Sequence, residues 1–116
     1  MPFYAAVESI VVGECPSESI NFTRVTGCQN DGSFEFCLAD DPALVAEIEG
    51  MSPNITCQRG RGRAQCDDEI EYLCMVSTDR LCVAPGSDVM TLAGWRLACD
   101  LAANPAITEL VPTWYE

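Results

Sequence analysis

Three of the six arginines in this chain, Arg59, Arg61 and Arg63, fall inside one ten-residue stretch, CQRGRGRAQC, that begins at Cys57 and ends at Cys66. The 116 residues contain no lysine and 18 acidic side chains, for a net charge of −12. A guanidinium offers a planar fork of donors suited to carboxylate or phosphate, so three of them in one loop form a candidate binding group. Gly60 and Gly62 leave no side chains between them, which predicts an exposed turn. If the stretch is extended instead, alternation sends all three guanidinium groups to one side. Closure between cysteines on either side would keep the loop at the surface. Asp67, Asp68 and Glu69 follow directly, and two readings stand. In one, the arginines pair with these or other nearby acids and relieve self-repulsion, each exposed pair contributing about 0 to 1 kcal/mol. In the other, they form a basic finger on an acidic body that recognises a partner. Proteolytic processing is a third reading, weakened because glycine or alanine follows each of these arginines and no dibasic pair exists.

The absence of histidine removes the usual base for a Ser or Cys nucleophile and the usual acid and base of small secreted ribonucleases and phospholipases. The absence of lysine removes Ser-Lys dyads and Schiff bases. A carboxylate pair, as in glycoside hydrolysis, is the mechanism that survives; it needs one acid raised in pKa by burial and another kept ionised about 5 to 9 Å away. Glu35, Asp40, Asp41, Asp67, Asp68, Glu69 and Glu71 are the candidates. Trp114 and Tyr115 are placed to stack on a sugar, whereas Trp95 sits in an apolar helical pattern and belongs to the core. CDDEIE lacks the alternating acids of an EF-hand loop. No metal site and no cofactor motif emerges, and the chain reads as a non-enzyme.

Cys15, Cys28, Cys37, Cys57, Cys66, Cys74, Cys82 and Cys99 are even in number and spread along the chain, with no CxxC. Zinc ribbons and fingers place their ligands in close pairs, usually with histidine, so disulfides in an oxidising compartment are expected. Asn21-Phe22-Thr23 and Asn54-Ile55-Thr56 are acceptor sequons for N-glycosylation, in keeping with a eukaryotic secretory origin. The apolar opening MPFYAAVESIVVGECP lacks a basic region and is interrupted by Glu8, a poor match to a signal peptide. No stretch is as long as a membrane span. The strong negative charge disfavours nucleic acid and anionic lipid surfaces as partners.

Few elements are available to carry these side chains. One domain over residues 1–116 is expected: no repeat or linker interrupts the chain, 48% of it is apolar, and a chain of this length buries roughly two-thirds of its surface. Residues 5–13, AAVESIVVG, predict a strand. INFTRVTGC and SFEFCLA flank QNDG, with Asp31-Gly32 as the turn of a hairpin. On the second arm Phe34 and Phe36 face the core while Glu35 and Cys37 take the other face. DDPALVAEIEG predicts a helix with Asp41 as N-cap, Pro42 in the first position and Gly50 as the stop. Leu44, Val45 and Ile48 form its apolar stripe, and Glu47 and Glu49 point to solvent. EIEYLCMVS predicts another strand, and SDVMTLAGWRLACDLAANP the longest helix, capped by Ser87, apolar over much of its circumference and locked to the sheet by Cys99. ITELVPTWYE adds a short strand before Pro112. The sum is an α+β fold, a small disulfide-stabilised domain with an antiparallel sheet of four to five strands and two helices packed on it.

With its small size, eight separated cysteines, two sequons and no catalytic constellation, the chain resembles the small secreted cysteine-rich proteins of filamentous fungi, which include effectors and killer-toxin-like α+β domains. The resemblance is one of class and carries over no functional residue. It implies a secreted, extracellular protein that acts by binding a protein or glycan of a host or target cell; the residues themselves nominate Arg59, Arg61 and Arg63 as the surface that does so. A small carboxylate-dependent glycosidase or a carbohydrate-binding protein is the alternative, and a homo-oligomeric structural protein a third. Intact-mass measurement after alkylation without reductant is expected to find all eight cysteines unmodified; an alkylated thiol would break the disulfide reading.

Overall fold

The computed structural model describes Cys15 and residues 17–114; the strand expected over residues 5–13, and Tyr115, lie outside the described residues. Four strands, β1 (Ser33–Ala39), β2 (Ile55–Gln58), β3 (Glu71–Ser77) and β4 (Val111–Pro112), form one antiparallel sheet in the order β2-β3-β1-β4. Helix α1 (Pro42–Glu49) connects β1 to β2, and α2 (Leu92–Ala102) lies between β3 and β4 in the chain. The architecture is the expected small disulfide-stabilised α+β fold. All eight cysteines are oxidised, paired Cys15–Cys99, Cys28–Cys82, Cys37–Cys66 and Cys57–Cys74. No described helix is long and apolar enough to cross a membrane.

The alternation Phe34, Phe36, Leu38 dictates the layering, because three large apolar side chains on one face of β1 must be covered. All three are fully buried. The register lines up Phe34, Val76 and Ile55 in one row across the sheet and Phe36, Cys74 and Cys57 in another, so this face runs unbroken across three strands. Ile48 of α1 and Trp95, Ala98 and Leu101 of α2 close over it in one core. The Phe22 ring joins them, 5.1 Å from Phe34 and 6.3 Å from Trp95 between centroids.

Helix α1 starts as its sequence predicts. The Asp41 carboxylate accepts from the N–H groups of Ala43 at 3.0 Å and Leu44 at 3.3 Å, which have no partner inside the helix, and Gly50 follows as C-cap. Glu49 departs from expectation: its Oε2 accepts from the Cys57 N–H at 2.9 Å and ties the helix to β2 instead of pointing to solvent.

Three further expectations are corrected. Gly32 has the positive φ of a turn, 101°, but the segment before it is not a strand and no hairpin forms. Thr23 and Thr26 bond their own backbone: the Thr23 N–H donates to Thr26 Oγ1, and the N–H groups of Thr26 and Gln29 close successive turns. Gly27 lies so close to Met90 that a Cβ there would fall 2.1 Å from its sulfur. Cys28–Cys82 and the bonds Cys28 N to Asp88 O and Met90 N to Arg24 O then attach this segment to residues 82–90. The second correction follows from the same contact. Helix α2 begins at Leu92 with Thr91 as N-cap, its Oγ1 accepting from Gly94 N at 3.0 Å, because Val89 and Thr91 are held in a backbone ladder with Val83 and Leu81. Ser87 instead accepts from Val89 N in a local turn. The helix, apolar over much of its circumference, is buried on one side: Trp95, Ala98 and Leu101 are buried while Ala93, Arg96 and Asp100 are exposed. Third, Cys99 bonds to Cys15 and fastens α2 to the N-terminal segment, not to the sheet. Removing the α1 cap by Asp41→Ala is expected to lower stability by about 1 kcal/mol, seen in urea titration as a shifted midpoint with unchanged slope.

Candidate functional site

The arginine loop, residues 59–70, joins β2 to β3 but folds across the sheet face opposite the helices. That face carries Glu35 and Cys37 of β1 beside Met75 and Leu73 of β3. The two cysteines of CQRGRGRAQC do not close on each other. Cys57 bonds to Cys74, its register partner on the helix side, and Cys66 reaches across the other face to Cys37. The loop is therefore fastened to the sheet at both ends.

Glu35 lies beneath it, 1% exposed. A carboxylate in that position must be given hydrogen bonds, and they come from two separate stretches. Oε1 accepts from the Ala64 N–H of the loop at 2.8 Å, and Oε2 from the Thr113 hydroxyl at 2.6 Å. Among the described residues no guanidinium reaches Glu35. The loop turns tightly to make this contact, with Gly62 and Gln65 both at φ 58° and the Cys66 N–H donating to the Arg61 carbonyl at 2.8 Å. Only glycine fits at position 62, since a Cβ would stand 2.3 Å from Glu35 Oε1 and 2.8 Å from a Leu73 methyl.

The turn sends the three arginines to different places, so the extended arrangement with all three on one side does not form. Arg59 forms an ion pair with Asp40, donates to the Glu71 carbonyl at 3.2 Å and lies over the Tyr72 ring with 4.4 Å from guanidinium carbon to centroid. The hydrogen bond that Arg59 donates to Asp40, reinforced by the charge of that carboxylate, raises the Arg59 pKa above its already high ordinary value. Arg63 donates from Nε to the Trp114 carbonyl at 2.8 Å. Arg61 is exposed, and its guanidinium has no hydrogen bond or ion pair among the described residues. Asp67, Asp68 and Glu69 do not pair with these arginines; Asp67 instead shapes its own turn, accepting from Glu69 N while its N–H donates to Glu71 Oε1.

A hollow of about 520 Å³ opens beside the loop. Glu35, Met75 and Gln58 of the sheet form its floor, Gly62 and Arg63 one wall, and Thr113 and Trp114 the other. Of the seven candidate carboxylates, Glu35 alone lines it; Asp40 is paired with Arg59, Asp41 caps α1, and Asp67 and Glu71 bond to each other's turn. Of the candidate aromatics, Trp114 is 44% exposed at the hollow, and Trp95 is in the core at 6%. No cluster among the described residues has the three ligands a metal ion needs. The sequon asparagines differ: Asn21 is exposed, whereas the Asn54 amide spends both hydrogens on the carbonyls of Ser77 at 2.7 Å and Asp79 at 2.8 Å.

Gln58, Gly62 and Thr113 were not among the residues nominated from sequence. The one local signal for the site was Phe-Glu-Phe in β1, which turns an acid onto the second face of a strand; whether that face meets water depends on a loop almost thirty residues away. Gly62→Ala is expected to destabilise the protein by about 1 to 3 kcal/mol through steric overlap and an unfavourable φ, measured by thermal or urea unfolding; wild-type stability would contradict the packing of the loop on Glu35. Compared with known protein families, curated proteins and solved structures, the chain matches none.

Proposed function

We propose that the chain is a secreted, non-enzymatic binding protein, effector- or toxin-like, that recognises a protein or glycan of a target cell through the surface built by the arginine loop. The observation that carries this reading is the condition of Arg61. Its guanidinium is exposed and without a partner among the described residues, on backbone held by two disulfides, by Glu35 and by its own bond to Cys66. A donor fork on a pre-ordered support loses little freedom on binding and suits a carboxylate or phosphate group of the partner. Arg59 and Arg63 keep the loop in place through Asp40, Tyr72 and Trp114, so contact with the partner falls first to Arg61.

Four disulfides, each contributing roughly 2 to 4 kcal/mol by restricting the unfolded chain, suit an extracellular setting, and exposed Asn21 is the sequon better placed to carry a glycan. Among the described residues the hollow is lined by one carboxylate, which supports binding over hydrolysis, a reaction that calls for two. The test is a screen of the oxidised protein against arrays of target-cell glycans and surface proteins, with Arg61→Ala alongside. The variant is expected to bind its target roughly ten- to a hundredfold more weakly at unchanged Tm. Equal binding by R61A, or turnover of an arrayed substrate by the native protein, would overturn the reading.

A further inference from the structure

We propose that the hollow beside the loop is a subsite for a neutral sugar ring, a pyranose presented singly or at the end of a short chain. Its volume, about 520 Å³, lies within the usual range of small-molecule clefts. What selects the ligand is what the lining leaves available. Neither charged group is a ready counter-ion: Glu35 is buried with both oxygens bonded, and Arg63 is engaged with the Trp114 carbonyl. The groups open to a ligand are a neutral amide, Gln58, and an indole, Trp114, which favours a ligand without net charge that carries both donors and acceptors.

The remaining lining defines the shape. Glu35, 1% exposed with its oxygens bonded to Ala64 and Thr113, fixes the floor and is not itself a contact for the ligand. The Gln58 amide both donates and accepts, and has no hydrogen-bond partner among the described residues. Trp114 and Met75 supply the apolar wall, Trp114 with nearly half its surface open. A pyranose has this division in one molecule, C–H groups on its faces and hydroxyls around its rim, so that a face lies on the indole while the rim reaches the Gln58 amide. The walls are also fixed beforehand. The Thr113 N–H donates to Ser33 O, the Thr113 hydroxyl to Glu35, and Arg63 Nε to the carbonyl of Trp114 itself.

Arg61 is not in the lining of this hollow; it lines a neighbouring one with Gln65, the two sharing Gly62, so the subsite does not require the recognition role given to Arg61. The experiment is a titration of the oxidised protein by NMR, following the Trp114 indole N–H together with the backbone N–H groups of Gly62 and Thr113, which serve as the readout for Trp114→Ala, with cellobiose, maltose and N,N′-diacetylchitobiose as neutral probes. Glucuronate, glucosamine and free glycine serve as anionic, cationic and zwitterionic comparisons. At least one neutral disaccharide is expected to shift the Trp114 signal saturably, at least roughly tenfold more tightly than any comparison compound. Trp114→Ala and, on an exposed polar residue that leaves the fold alone, Gln58→Ala should each weaken it by roughly tenfold, while Arg61→Ala leaves it unchanged. The proposal is overturned if no neutral saccharide saturates the signal, if a charged or zwitterionic comparison binds as tightly, or if binding survives both Trp114→Ala and Gln58→Ala.

Discussion

One carboxylate joins three stretches of chain that are far apart in sequence. Glu35 belongs to β1, takes a backbone N–H from Ala64 and a hydroxyl from Thr113, and sees almost no solvent. Withdrawal of a carboxylate from water is unfavourable unless donors replace the water, so the loop and the residues after β4 have to be where they are for this side chain to be tolerated. Two residues further along the same face, Cys37 bonds to Cys66. The polar contact and the covalent one lie side by side and hold the same loop, one setting its height over the sheet and the other its end point. Gly62 follows from both, because the backbone passes so near the carboxylate that no side chain fits.

That arrangement explains how a four-stranded sheet manages with helices on one face only. The helical side is covered by Ile48, Trp95, Ala98 and Leu101; the other is roofed by an irregular segment whose own apolar content is small. A loop with glycine at alternate positions lies flat, and its arginines leave at the margins, Arg59 toward Asp40 and Tyr72, Arg63 toward Trp114. Half of the arginines of an acidic chain thus gather at one place for two kinds of reason. Two brace the roof, and the third remains exposed on it.

Elements governed by local rules were legible in the sequence. The period-two apolar pattern identified β1 and its inward face, EIEYLCMVS contained β3, and Asp41-Pro42 marked the start of α1, since a cap and its helix are made within a few residues. Elements decided by distant partners were not. Asp31-Gly32 carries a hairpin signal, yet the strand before it is replaced by threonine turns that Cys82 and Met90 hold in place. Ser87 is a competent cap, but the residues after it are drawn into a ladder with Leu81 and Val83 before the helix can begin. The strand Ile55–Gln58 was not predicted, because four residues are too few for a pattern. The site shows the same division. The arginine cluster stood out, whereas its dispersal depends on Asp40, Tyr72 and Trp114, and Glu35 was one acid among 18 until a roof closed over it.

The outermost disulfide, Cys15–Cys99, spans 84 positions and encloses the other three. Pulling on the two ends of the molecule therefore loads a sulfur–sulfur bond, and β1, β2, β3 and α1 are shielded from the stretch. Strand β4, Thr113 and Trp114 lie outside that covalent ring and are held to it by hydrogen bonds, those of β4 and Thr113 to β1 and Asp31 and the contacts to Glu35 and Arg63. One wall of the hollow is thus fixed without a covalent tie, on an otherwise laced body.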